Sequence, residues 1–328
     1  MHDGVKSEPE SESELEDMFV DVSGTRVHCL HAGSGRPLVL IHGLVGSTEN
    51  WRGNIGALAP HASVYAIDLV NMGKSQRIAG LDAGLEATAD RVAECMDALG
   101  LAQADIAGHS HGGSVALLLA ARHPDRVRTL ILFAPANPFS AMADSLVRLY
   151  SSPLGGLMAS WASYLPAPMQ LVALGRMFGD PARIPDGCLE GYVDGLRVPG
   201  TVGHVVRILR AWFKDMAKLK AALPWVAAVP TLLLWGDCDC AVDPASAVRL
   251  QRALPRSELR ILRGGGHILF EEMPQESNRL MLDWLRREQP SRQTAACAST
   301  SSARLGGRSH HTPIAARQKS TAALPHLT

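Results

Sequence analysis

The chain has no apolar run long enough to cross a bilayer, so no membrane-spanning helix is expected. It also lacks the basic-then-apolar start of an export signal. Residues Met1 to Asp17 are acidic and, apart from Val5 and Leu15, nearly free of apolar groups. Six cysteines at irregular positions make no disulfide framework, so a cytoplasmic location is expected. Net charge is absent too, since 32 basic residues cancel 32 acidic ones. That balance hides an acidic head and a tail, Gln289 to Thr328, that is rich in Ser, Ala, Thr and Arg and has no Asp or Glu. Neither end can bury enough apolar surface to offset its ordering entropy, so residues 1–17 and 289–328 are expected to be disordered. The basic tail reads as a solvated extension, and no nucleic-acid partner is expected. Cys238 and Cys240 flank Asp239, but without a second ligand pair they do not make a metal site. Their expected role is that of small buried side chains beside a strand tip.

What is present centres on Asp105-Ile106-Ala107-Gly108-His109-Ser110-His111-Gly112-Gly113. An apolar run enters Gly-x-Ser-x-Gly, and a helical segment, Val115 to Arg122, follows at once. Strand, sharp turn and helix form the context in which this pattern means a nucleophile elbow. The glycines are needed because the turn is strained and its neighbouring backbone approaches closely. The helix N-terminus behind Ser110 favours the negative charge that develops when a serine attacks a carbonyl. Without a base, however, such a serine would be a helix N-cap.

A base and an acid lie downstream. Ser257 to Leu262 reads as a strand, and the glycine-rich turn after it ends in His267. Before it, Pro230 to Gly236 reads as a buried strand whose tip carries Asp237, Asp239 and Asp243. Serine, aspartate and histidine in that order match one fold in particular.

On these residues the chain resembles the serine-type α/β-hydrolases. Val39 to Leu44 matches a strand entering the family's His-Gly turn, Ser47 and Trp51 match a serine and an aromatic, and Asp68 to Ser75 matches the Asp-x-x-Gly-x-Gly-x-Ser loop. Asn71 replaces the first glycine there, at little cost because Asn tolerates left-handed backbone. The matches run from about Phe19 to Glu288, with Asn137 to Leu223 unmatched except in general character. The resemblance implies Ser110 as nucleophile, His267 as base and an Asp as its partner. The family's Trp-Gly-x-x-Asp register selects Asp239, with Asp243 the main rival, although Asp243 before Pro244 reads better as a helix cap. It also implies an oxyanion hole made by the backbone N–H groups of Leu44 and His111. The His111 imidazole is expected to be a hydrogen-bonded structural group, His109 to pack or support, and His42 to brace its own turn. No cofactor is implied.

The expected fold class is α/β: a mainly parallel sheet with helices on both faces and an inserted helical cap. Strands are expected at Phe19 to Val22, Thr25 to His31, Leu38 to His42, Val64 to Asp68 and Arg128 to Phe133, with helices at Trp51 to Leu58 and Leu85 to Leu99. Core segments 18–136 and 199–288 would enclose a cap at 137–198. The cap's apolar residues (Leu146, Leu149, Leu157, Met158, Trp161, Tyr164, Leu165, Met169, Leu171 and Met177) are too many for an exposed insertion, so most are expected to be packed. Such a cap points to a small hydrophobic acyl or ring substrate.

The expected function is therefore a serine hydrolase cleaving an ester or related acyl bond. Carbon–carbon bond hydrolases and cofactor-free perhydrolases share the same triad and stay open. Ser110 argues against the aspartate-nucleophile dehalogenases and epoxide hydrolases. The competing class is a non-catalytic binding protein on this fold, which usually shows a lost triad member or a blocked elbow.

Overall fold

The apolar runs of the middle sequence become the centre of one sheet. In the computed structural model, which describes residues 14–288, the strands are β1 (Glu16–Val22), β2 (Thr25–Ala32), β3 (Pro37–Ile41), β4 (Ser63–Ile67), β5 (Ala104–His109), β6 (Val127–Phe133), β7 (Thr231–Gly236) and β8 (Ser257–Leu262). They lie in the order β1-β2-β4-β3-β5-β6-β7-β8, antiparallel at β1–β2 and β2–β4 and parallel from β4 onward. Strands β3, β5 and β7 are buried almost throughout, as a parallel sheet covered on both faces requires.

Side chains alternate between two cores with the period of two that a strand imposes. Val39, Ile41, Leu130, Leu132, Leu233 and Trp235 face one layer. Leu38, Leu40, Ile131, Phe133, Leu232 and Leu234 face the other. Helices α1 (Arg52–Leu58), α2 (Leu85–Ala98) and α3 (His111–Arg122) fill the first crossovers. After β6 the chain runs through α4 (Asp144–Ser151), α5 (Pro153–Ala162), α6 (Ala167–Gly175) and α7 (Cys188–Arg197) into the long α8 (Thr201–Val226) before returning as β7. Helices α9 (Pro244–Ala253), α10 (Leu269–Glu272) and α11 (Pro274–Arg287) complete the fold.

Three expectations are corrected here. Glu16 and Asp17 are not disordered but form the start of β1, paired with His31 and Leu30. Main-chain pairing holds them, and the Asp17 carboxylate accepts from His28 Nε2 (2.9 Å) and Lys74 Nζ (2.8 Å). The expectations for residues 1–13 and 289–328 lie outside the described residues. Cys238 and Cys240 are exposed: in the turn after β7 they flank Asp239, which is the buried residue of the three. Finally, nine of the ten apolar residues expected to pack in 137–198 are exposed, and only Met177 is partly buried. The segment's inward contacts are made instead by smaller or different residues such as Val147, Gly155, Leu174 and Phe178.

Candidate active site

The elbow's geometry follows from its glycines. Ser110 sits at φ 50°, ψ −115°, between the end of β5 and the first residue of α3. A methyl group at Gly108 would come within 2.6 Å of the Gly112 carbonyl oxygen, and one at Gly112 within 2.3 Å of the His42 carbonyl oxygen. The strained serine is thus enclosed by backbone that no side chain could approach. Its hydroxyl makes no capping bond to α3.

That hydroxyl instead meets His267. Ser110 Oγ lies 3.0 Å from His267 Nε2, and His267 Nδ1 lies 2.9 Å from Asp239 Oδ2. A carboxylate only accepts, so Nδ1 carries the proton and Nε2 offers its lone pair to the serine O–H. Asp239 is itself fixed, since its other oxygen accepts from the backbone N–H groups of Ala241 (2.8 Å) and Val242 (2.9 Å). The two rival carboxylates are employed elsewhere. Asp237 accepts from Gly264 N (2.6 Å), and Asp243 caps α9 by accepting from Ala245 N (2.9 Å).

The surrounding histidines support this arrangement. His109 Nε2 donates to the His267 carbonyl oxygen at 3.1 Å, and burial holds the His109 imidazole well below its usual pKa, hence neutral. His42 Nδ1 donates to Gly43 O (2.8 Å) while its Nε2 accepts from Leu69 N (3.0 Å), so it braces its own turn in one tautomer. His111 departs from expectation. It is 3 % exposed, and neither ring nitrogen has a hydrogen-bond partner among the described residues. Burial, with His42 and His204 nearby, pushes its pKa down to about 3. No described residue offers its ring a hydrogen-bond partner, so its imidazole is a buried, neutral group.

The backbone N–H groups of Leu44 and His111 donate to no protein acceptor among the described residues. Both residues line the same cavity as Ser110, which encloses about 240 Å³. Its other walls include Asn137, Val147 and Tyr150 after β6, Leu209 and Trp212 of α8, and Val242. Among the described residues that line it there is no lysine or arginine, and Asp144 is the one carboxylate.

Several supporting residues escaped the sequence reading. Glu272 accepts from Gly266 N (2.7 Å), Gly179 N (3.0 Å) and Asp180 N (2.9 Å), tying the His267 loop to the segment after α6. Glu271, four residues after His267, is buried and accepts from Asn50, Arg52 and Tyr192; burial raises its pKa. Asp68 is a hub under the Leu44 turn, accepting from His28 Nδ1 (2.7 Å), Thr48 N (2.6 Å) and Lys74 N (2.7 Å). Burial opposes its charge, but the His28 bond and the others outweigh that and lower its pKa. Asn71 takes the left-handed backbone expected of it, at φ 70°. The Asp68 loop motif was visible in sequence; the partners of Glu271, and Gly179 and Asp180 as partners of Glu272, lie too far along the chain to be read from spacing.

Comparison with known proteins places the chain in a family. The profile described as alpha/beta hydrolase fold matches residues 36–274. The chain is 34% identical over 255 residues to the dihydrolipoyllysine-residue acetyltransferase component of an acetoin cleaving system from Pseudomonas putida, covering 77% of this chain and 64% of that protein. It is 29% identical to the 2-hydroxymuconate semialdehyde hydrolase of Pseudomonas sp. (strain CF600), over 75% of this chain and 85% of that one. Among solved structures, the epoxide hydrolase CorEH superposes with a TM-score of 0.74 at 24% identity, covering 84% of this chain and all of that one. The chain belongs to the α/β-hydrolase fold family.

Proposed function

We propose that this protein is a serine hydrolase that cleaves an ester or related acyl bond of a small, uncharged, largely hydrophobic substrate. The observation that carries the reading is the continuous contact from Ser110 through His267 to Asp239 at the floor of an apolar cavity. Ser110 Oγ attacks the carbonyl carbon while its proton passes to His267 Nε2. The oxyanion is received by the free N–H groups of Leu44 and His111. Collapse expels the alcohol, which takes the proton from His267 and leaves an acyl group on Ser110. Water then repeats the sequence, giving its proton to His267 and releasing the acid. Asp239 holds the imidazole tautomer and stabilises the imidazolium formed twice per cycle. Residues 137–198 act as a cap over the cavity, with α8 supplying part of its wall.

The muconate-derived relative supports a second reading, hydrolysis of a carbon–carbon bond on the same triad. A muconate skeleton is anionic and would need a cation beside it. The cavity offers Asp144 and no cation, which weighs toward the neutral ester.

Hydrolysis of p-nitrophenyl esters of graded acyl length, by the native protein and by Ser110→Ala, tests the proposal. Serine-dependent turnover with a chain-length optimum is expected. Normal turnover by Ser110→Ala would sink the mechanism. Failure of the native protein to bind a fluorophosphonate covalently would favour a binding role.

A further inference from the structure

Two adjacent carbonyl groups just after α6 hold the two loops of the triad. The Met177 carbonyl oxygen accepts from the backbone N–H of His267 (2.7 Å) and, at longer range, from that of Ile268 (3.3 Å). The carbonyl one residue earlier, that of Arg176, accepts from the thiol of Cys240 at 2.7 Å. Cys240 directly follows Asp239, so one short stretch of the inserted segment touches the loops of both base and acid. Glycine permits the close approach on the histidine side. A methyl group at Gly266 would lie 2.5 Å from the Met177 carbonyl oxygen, and one at Gly179 would lie 2.3 Å from the Gly264 carbonyl oxygen. Backbone in such close contact transmits a shift rather than absorbing it.

The acid side depends on the thiol because the tip of its turn has few other ties. Asp239 N donates to Gly236 O (3.3 Å), while Ala241 N and Val242 N donate to Asp239 Oδ1 (2.8 and 2.9 Å). All three bonds close within residues 236–242. No carbonyl of residues 239–241 accepts a backbone hydrogen bond among the described residues. Apart from the Asp239 contact with His267, the Cys240 thiol makes the one hydrogen bond among the described residues from this tip to a distant part of the chain. Cys238 has no such role, since its thiol lies 3.4 Å from Asp237 Oδ1, its own neighbour in sequence. Both cysteines are exposed, so the turn offers two accessible thiols of which one reaches the inserted segment.

We propose that the Cys240 thiol is a positioning group of the triad, holding the Asp239 carboxylate in line with His267 Nδ1 through the Arg176 carbonyl. This role rests on the hydrolase reading, so its test includes one readout that needs no substrate. Cys240→Ala removes the donor, Cys240→Ser keeps one, and Cys238→Ala is the control. A thiol is a weak donor, so the expected loss is moderate. In Cys240→Ala kcat should fall roughly tenfold at nearly unchanged KM. Cys240→Ser should recover most of it, and Cys238→Ala should keep native kinetics. The substrate-free readout is the tautomer of His267, read by NMR on protein carrying isotope-labelled histidine. Its proton should sit on Nδ1 in the native protein and in Cys240→Ser, and lose that preference in Cys240→Ala. Alkylation of the folded protein by iodoacetamide, with the labelled residue found by peptide mass, should inactivate through Cys240 and not through Cys238. Native kcat and tautomer in Cys240→Ala, or a Cys240→Ser no better than Cys240→Ala, would overturn the proposal. So would a Cys240→Ala variant that loses melting temperature alone. A native protein with the expected tautomer but no ester turnover would sink the hydrolase reading, and the tautomer in Cys240→Ala would still decide on the thiol.

Discussion

The backbone N–H of His267 donates to the Met177 carbonyl oxygen at 2.7 Å, joining the loop that carries the imidazole to the segment inserted after β6. Glu272 reinforces that junction by accepting from Gly266, Gly179 and Asp180. Glu272→Ala removes the acceptor from three backbone donors at once, of which Gly266 N is buried. The variant is expected to lose about 2–3 kcal/mol of stability and, through drift of His267, about a hundredfold in kcat. Urea unfolding and ester turnover check it. An unchanged kcat in folded protein would show that the loop holds itself.

Ser110 occupies a backbone region that favours glycine. Ser110→Gly should abolish turnover while raising the melting temperature, since relief of strain of about 1–3 kcal/mol exceeds the entropy cost of glycine. Calorimetry of the variant decides. A lower melting temperature would mean that the elbow stores no strain.

Asp239 and Asp243 stand close in sequence but perform different work. Asp239→Asn should lower kcat by roughly a factor of 10⁴ through loss of the imidazole tautomer. Asp243→Ala should cost about 1 kcal/mol of stability through loss of the α9 cap and leave kcat within a fewfold. The reverse pattern in a kinetic comparison would reassign the acid.

His111 is buried, neutral and without a hydrogen-bond partner among the described residues, its pKa pushed from 6.5 down to about 3. The unfolded chain binds a proton there that the folded chain refuses. Stability from this group is therefore full above about pH 6.5 and lost as pH falls toward 3. Burial shifts His42 and His109 the same way. His111→Leu should flatten the acid slope and raise stability at neutral pH by about 1–3 kcal/mol. Unfolding free energies measured across that range would be parallel for the two proteins if the idea is wrong.

Local chain chemistry decided much of this protein. Leu38 to Ile41 and Thr231 to Gly236 could only be buried strands, Gly108 and Gly112 could only flank a tight turn, and Asn71 could take the backbone of the glycine it replaces. Such features depend on sterics and on periodicity within a few residues, which a sequence displays directly. The pairing of β1 was legible only in part, because Glu16 and Asp17 look like a solvated acidic tail until His28 and Lys74 are brought beside them.

Folding alone decided what depends on distant neighbours. That His267 meets Ser110, that Glu272 ties the His267 loop to Gly179 and Asp180, and that His111 has no hydrogen-bond partner among the described residues all depend on groups far apart in the chain. The same holds for the apolar residues of 137–198, whose number implied packing. Their direction was set by Gly155 and Gly156, which let α5 lie close against its neighbours and turn Leu157 and Trp161 outward. A sequence states how much apolar surface a helix carries. Which side the fold covers depends on the partner surface, and that exists only once the sheet has formed.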